Sequence, residues 1–331
     1  MREATPLAAL IREEILQHGP IRFDRFMELA LYHPQYGYYR RKNRDPFGKH
    51  GDFYTASQMQ PVFGRLIARA VRGLRAEMGA EMGEPEDFVV VELGAGREEM
   101  AEALREFRYV PVEVGSMLPE KITGVVFSNE FFDALPVRVV ERRAEGWHER
   151  LVTVSDGCFV FTTGGVTDVN AGEQQMVAEV HDASILWMKK IALHLKRGFV
   201  LTIDYGYTTR EALRFPQGTL MSYRSHSASD EVLADPGERD ITSHVPFDAL
   251  RAAGEAHGLE TVRLETMAQF LLRVGESDQF AEAVRGGGEG ALKTLIYGMG
   301  ESFRVLLQRK DVEMNLDIAG SSGTRRTTRA T

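Results

Sequence analysis

With 331 residues, 43% of them hydrophobic, the chain is long enough to bury a substantial core without a metal or a disulfide. A formal net charge of −8 argues against general nucleic-acid binding, and the single cysteine, Cys158, excludes an internal disulfide and any cysteine-based zinc cluster. No segment reaches the ~18 consecutive apolar residues of a membrane span, no apolar leader opens the chain, and the nine histidines show no metal-ligand spacing. These bounds predict a cytoplasmic protein with neither metal nor membrane span, in which Cys158 is a small apolar filler of a strand.

At the start, Leu7, Leu10, Ile11, Ile15 and Leu16 recur at helical spacing, and Gly19-Pro20 ends that helix. A second helix is expected over 24–31, followed by an aromatic loop over 32–39, a basic run over 40–44 and FGKHGDFYTAS over 47–57. Long irregular connections of this kind often carry function. Tyr36, Tyr38 and Tyr39 suit either packing or a cation-binding wall. Val62, Leu66, Ile67, Ala70, Val71 and Leu74 mark an amphipathic helix over about 61–78.

The segment FVVVELGAGREEM, 88–100, joins a buried strand to a glycine turn and a helix expected to reach about Phe107. Apolar Phe88, Val89, Val90, Val91 and Leu93 around the acid Glu92 suit a central parallel strand. Gly94 and Gly96 carry no Cβ, so the backbone turns sharply and approaches a ligand closely. Dinucleotide dehydrogenases and S-adenosylmethionine (SAM) methyltransferases both use such a turn. Glu98 and Glu99 would repel a pyrophosphate at that helix start, whereas a positively charged sulfonium tolerates them.

Further strands are expected over 108–116, 124–137 and 197–207, with a small antiparallel insertion built from 137–143, 148–154 and 158–162. A long helix is expected over about 172–195 and a lid or substrate loop over 208–245. Helices near 247–257, 266–273, 277–285 and 289–297 precede a last strand over 302–310. The alternation predicts an α/β fold with a doubly wound, mostly parallel sheet. Three regions follow: an N-terminal helical region with a covering loop over 1–80, a core domain over 81–312 with insertions at about 138–170 and 208–300, and a disordered tail over 313–331. Ligands of such sheets bind outside the carboxyl ends of the strands, which gathers 92–96, Glu113, 129–133 and 204–206 around one crevice.

With these segments in hand, the chain resembles the MidA-like family of SAM-dependent methyltransferases, which includes mitochondrial complex I assembly methyltransferases. The resemblance runs from about Gly19 to Lys310 and rests on separate blocks: GPIRFDRFMELALYHPQYGYY, GDFYTAS followed by PVFGRLIA, VELGAGR, VVFSNEFFDALPV, TIDYG and DITSHVPFDAL. It implies the class I methyltransferase fold with an N-terminal helical addition and an insertion, SAM as cofactor and, for the mitochondrial relatives, arginine methylation of a protein substrate. The chain departs from the family twice. Glu98 stands where a further glycine is usual, and only 115–123 separate Glu113 from Gly124, too few for a normal strand-helix-strand passage. Either part of the sheet is missing or Glu113 belongs elsewhere.

Direct methyl displacement requires a nucleophile held in line and water kept out. Gly94, Ala95 and Gly96 would admit the cofactor and Glu92 would hold its methionine portion. Glu113, nineteen residues after Gly94, suits either the ribose hydroxyls or a plain surface acid. Asn129 and Glu130 end an apolar strand, and Glu130 with Asp133 offers paired carboxylates that match a guanidinium bidentately. The competing reading makes Asp133 a helix cap. Asp52 either caps a turn or closes over the cofactor, and His244 is either a general base or orienting group or a structural histidine. The reading adopted is a SAM-dependent protein methyltransferase with arginine favoured. The alternative is a noncatalytic methyltransferase-fold assembly or scaffold protein, and an NAD-dependent oxidoreductase lacks a catalytic histidine or lysine placement.

Overall fold

The computed structural model describes residues 5–41, 56, 59–82, 85–169, 171–172, 175–224 and 227–310. Helix α1 (Pro6–His18) begins where Thr5 Oγ1 accepts from Ala8 N–H at 3.1 Å and ends at Gly19, whose φ of 84° suits a residue without Cβ. After the short strand β1 (Ile21–Arg22), α2 (Phe23–Tyr32) buries Phe23, Phe26, Met27, Ala30 and Leu31. GDFYTAS lies, apart from Ala56, outside the described residues, and Asp52 with it. The expected amphipathic stripe forms α3 (Val62–Met82).

Strands β2 (Val89–Leu93), β3 (Arg108–Val112) and β4 (Ile122–Asn129) follow. Then β5 (Arg138–Arg143), β6 (Gly146–Ser155), β7 (Cys158–Val166) and β8 (Val177–Val180) join β1 in a five-stranded antiparallel sheet. Helix α4 (Asp182–His194) leads into the long β9 (Leu195–Tyr207), and β10 (Met221–Arg224), β11 (Ser227–Ser229) and β12 (Asp240–Thr242) make a small antiparallel sheet. The elements β13 (Val245–Pro246), α5 (Phe247–Glu255), β14 (Glu260–Thr266), α6 (Met267–Gly275), α7 (Glu289–Lys293) and β15 (Phe303–Lys310) come last.

The central sheet runs β14-β15-β9-β4-β2-β3, with β13 beside the end of β9. Strands β3, β2, β4 and β9 are parallel, whereas β15 is antiparallel to β9 and β14 to β15. Alternate residues face opposite sides, as the two-residue strand period requires. Val90, Val125, Phe127, Leu201 and Val305 pack with α3 and α6, while Val89, Val91, Val126, Val200 and Leu306 pack with α4 and α5. Strand β3 pairs with β2 residue for residue, from Val89 with Arg108 to Leu93 with Val112, so the second strand is correctly placed. Residues 113–121 then pass from β3 to β4, on the other side of β2, without a helix, and β3 is left as the sheet edge. A nine-residue link reaches ~30 Å extended, enough to return along a five-residue strand of ~17 Å.

Three stretches expected to be helical are not. After Gly94 the chain makes separate turns, because Gly96 (φ 56°) and Glu98 (φ 58°) are left-handed. Met100 and Leu104 are still buried, which explains their helix-like spacing. Within the expected 172–195 helix, the β-branched Val177 and Val180 belong to β8, paired with β5, and α4 starts only at Asp182. Residues 276–285 form one 3-10 turn and looser turns, with Gln279 (φ 54°) and Phe280 (φ 64°) left-handed. Within the expected insertion over 208–300, β13 pairs with β9 and β14 with β15 in the central sheet. Cys158 is exposed rather than a buried filler.

Candidate functional site

At the carboxyl end of β2, Glu92 is 5% exposed and its Oε2 accepts from the Tyr109 hydroxyl at 2.5 Å. Burial pushes its carboxyl up to about 8; the Tyr109 bond opposes this, and Glu113, Glu99 and Glu98 reinforce it. An acid held this way beneath a turn is suited to a cation. Gly94 turns at φ 66°, and its N–H donates to the Val112 carbonyl at 2.8 Å. A Cβ there would lie 2.8 Å from Phe131 Cδ2, so the position excludes a side chain. Gly96 N–H donates to Glu113 Oε1 at 2.8 Å. The structure thus brings Glu92, Gly94, Ala95, Gly96 and Glu113 to one strand end. Glu98 holds the left-handed conformation that glycine adopts freely, which is the physical reason for a glycine at this place in the resembling family.

At the end of β4, Glu130 has φ 53°, uncommon for a residue with a side chain. Past this bend, the N–H groups of Phe131, Phe132 and Asp133 donate to Asp204 Oδ2 at 3.1, 2.8 and 3.4 Å, and Tyr205 N–H donates to Oδ1 at 2.9 Å. Burial pushes the Asp204 carboxyl up to about 7 against these four donors. Sequence reasoning put Asp204 at the crevice without a role; the signal was an acid ending the apolar strand of TIDYG.

Glu130 Oε1 accepts from Ala56 N–H and Asn129 Nδ2, both at 2.9 Å. Burial pushes this carboxyl up to about 8, and Asp204 and Asp240 add to the rise. Asp133, 6% exposed, is held well above the usual carboxylate range by burial and by the carboxylates of Asp204, Glu130 and Asp240. Asp133 Oδ1, Asn129 Oδ1 and the hydroxyls of Ser128 and Ser243 are buried without a hydrogen-bond partner among the described residues. Orphaned buried polar atoms at one strand end favour a ligand that pairs with them. No helix follows Asp133, so its reading as a cap falls away.

His244 stands further along. Its ring lies 6.3 Å from that of Tyr205 at 19° and edge-on to Phe215 at 5.1 Å, the His244 backbone N–H donates to Thr219 Oγ1 at 2.9 Å, and burial lowers the imidazole pKa. Among the described residues its imidazole has aromatic neighbours and no hydrogen bond. One acid was missed: Asp240, 2% exposed, whose Oδ1 accepts from the Tyr39 hydroxyl at 2.8 Å. It belongs to the DITSHVPFDAL block, where only His244 had been given a role.

A family model described as S-adenosyl-L-methionine-dependent methyltransferase matches residues 114–264. A crystal structure of a superfamily protein from Burkholderia thailandensis, bound to S-adenosyl-homocysteine, is 31% identical, with a TM-score of 0.81 over 93% of this chain and 92% of that one. Protein arginine methyltransferase NDUFAF7 homolog, mitochondrial, of Drosophila melanogaster is 27% identical over 76% of this chain and 70% of its own length. Protein arginine methyltransferase NDUFAF7, mitochondrial, of Homo sapiens is 26% identical over 82% and 74%. Both are named as mitochondrial proteins, which overturns the cytoplasmic expectation drawn from the lack of an apolar leader. Among the described residues no helix is long and apolar enough to cross a membrane.

Proposed function

The chain belongs to the family of S-adenosyl-L-methionine-dependent methyltransferases and has their class I type of fold, and we propose that it is a protein arginine methyltransferase of the MidA-like branch. In this reading the sheet is doubly wound and the helices before residue 80 are an addition to it. The observation that carries the proposal is the buried pair Glu130 and Asp133, whose strongest charged neighbours are further carboxylates. Buried acids without a matching cation among the described residues call for one from outside, and a guanidinium is planar with paired donors.

The residues at the glycine turn fit SAM. Glu92 is a buried acid suited to its amine or sulfonium, Gly94 leaves a cradle that a Cβ would fill, and Asn129 Oδ1 lacks a partner. Gly94, Ala95 and Gly96 let the backbone come close, and Glu113, which accepts from Gly96 N–H, would hold the ribose hydroxyls. Bound there, SAM supplies an electrophilic methyl group. Glu130 and Asp133 accept the substrate N–H groups and align the attacking nitrogen. Glu130 Oε2, which makes no hydrogen bond with a described residue, takes the proton that this nitrogen releases. Asp204 holds the loop in place through its backbone donors, and His244 supports Tyr205 as an orienting group.

A noncatalytic scaffold is the second reading, and the left-handed Glu98 in place of glycine is the observation in its favour. Incubation with methyl-labelled SAM and a cell lysate, followed by mass spectrometry, separates the two. Methyl-arginine on a discrete protein is expected, lost by ~10²-fold or more in Glu130→Gln. Undiminished transfer by that variant removes Glu130 from the mechanism. Failure to bind SAM in calorimetry leaves the scaffold.

A further inference from the structure

One buried acid has no part in the clamp just described. Asp240 sits on β12, close enough for its charge to reach Glu130, Asp133, Tyr32, Tyr39 and Tyr223. Its Oδ1 accepts from the Tyr39 hydroxyl at 2.8 Å and from Ile241 N–H at 2.9 Å, which fixes the orientation of the carboxylate.

Tyr39 is itself held. Its ring stacks on Tyr32 with centroids 5.7 Å apart at 25°, and meets Tyr38 edge-on at 5.1 Å. The Tyr32 hydroxyl donates to the Ala134 carbonyl at 2.9 Å, one residue beyond Asp133, and the Asp133 carbonyl accepts from Ser243 N–H at 2.9 Å. The end of α2 and the turn after it therefore tie the Asp133 loop to the segment that carries Asp240. Tyr205 from β9 and Tyr223 from β10 also lie within reach of the charges of these acids.

We propose that Asp240, positioned by Tyr39, is a third substrate-binding carboxylate beside Glu130 and Asp133, and that this tyrosine-walled seat selects a side-chain guanidinium over an ammonium. A guanidinium offers five N–H donors in a plane, and Glu130 Oε1 already accepts two hydrogen bonds, so a third carboxylate helps to satisfy them. It stacks on aromatic faces and is more weakly hydrated than an ammonium, so burial among tyrosines costs it less. A compact ammonium satisfies fewer of these oxygens. The inference rests on the arginine methyltransferase reading.

The test uses the full chain saturated with S-adenosyl-homocysteine and titrated calorimetrically with three tripeptides: Gly-Arg-Gly, Gly-Lys-Gly and Gly-citrulline-Gly. Binding of the arginine peptide is expected to exceed the other two by about tenfold or more, the worth of a hydrogen bond to a charged group. Tyr39→Phe keeps the ring stacking and loses the bond to Asp240. It is expected to lower arginine-peptide affinity about tenfold and shrink the arginine-to-lysine ratio, with S-adenosyl-homocysteine affinity unchanged. Asp240→Asn is expected to abolish the preference. Equal binding of the three peptides, no peptide binding, or wild-type behaviour of both variants overturns the seat. If S-adenosyl-homocysteine itself fails to bind, the methyltransferase reading falls, and the seat with it.

Discussion

Glu98 and Glu130 both carry side chains at left-handed backbone angles, φ 58° and 53°, yet the two serve different ends. Glu98 is exposed in a turn, and a side chain there costs ~1 kcal/mol relative to an unstrained residue. Glycine removes that strain but enlarges the freedom of the unfolded chain by a comparable amount. Glu98→Gly is therefore expected to shift stability by less than ~1 kcal/mol in urea denaturation and to retain SAM affinity in calorimetry. A large loss of affinity would assign the Glu98 side chain itself to the ligand. At Glu130 the bend serves the site, because the three N–H groups after it converge on Asp204. With the Glu130 carboxyl at about 8, kcat/KM rises with pH through that region as the acid ionises, and this limb vanishes in Glu130→Gln. A pH profile of the variant that keeps the limb would move the titration to another group. The acids themselves were legible as polar residues ending apolar strands. The bend and its cradle were not, since no glycine marks position 130 and the partner Asp204 lies seventy-odd residues away.

Among the elements, the parallel strands were the most legible, because strands buried on both faces read as continuous apolar runs. Strands β8 and β14 escaped notice for the opposite reason. The sequence of β14, ETVRLET, has only Val262 and Leu264 as apolar residues and neither is fully buried, so its alternation is too short to stand out and no core run marks it. The glycine turn was read correctly but the helix after it was not, since the buried Met100 and Leu104 mimic helical spacing across separate turns. Tight strand packing leaves its own trace in β4 and β9. A Cβ on Gly124 would lie 2.0 Å from the Val89 carbonyl oxygen, and one on Gly198 would lie 1.9 Å from that of Gly124. Those obstacles are backbone atoms in a paired sheet and cannot move aside cheaply. Gly124→Ala is expected to cost ~4 kcal/mol or more in urea denaturation, whereas an alanine at the open position Gly146 serves as the control for left-handed strain alone. Equal losses at both positions would show that the carbonyl contact is not the cause.

For the whole molecule, buried titratable groups set how stability depends on pH. Glu92 and Glu130 have folded carboxyls near 8 against an ordinary value of 4.5, so the folded chain retains protons that the unfolded chain gives up. Their contribution is fully present below about 4.5 and is lost as pH rises through about 8. His181 acts in the other direction. Burial lowers its imidazole from 6.5 to about 3, so its contribution is present above about 6.5 and lost as pH falls toward 3. Between 4.5 and 6.5 the histidine offsets one of the raised acids, and from 6.5 to 8 the acids act without it, Asp204 with its carboxyl at about 7 and the raised Asp133 adding to Glu92 and Glu130. Each fully titrating group contributes ~1.4 kcal/mol per pH unit, so the steepest loss falls in that upper window. Urea midpoints measured without cofactor are expected to drop between pH 6.5 and 8, with a smaller drop in Glu92→Gln. Saturating SAM is expected to flatten it as well, since a cation beside Glu92 favours the ionised carboxylate that high pH would otherwise impose. A midpoint that holds constant across this window without cofactor would mean that neither carboxyl keeps its proton in the folded chain, and the acids would then already be ionised before any cation arrives.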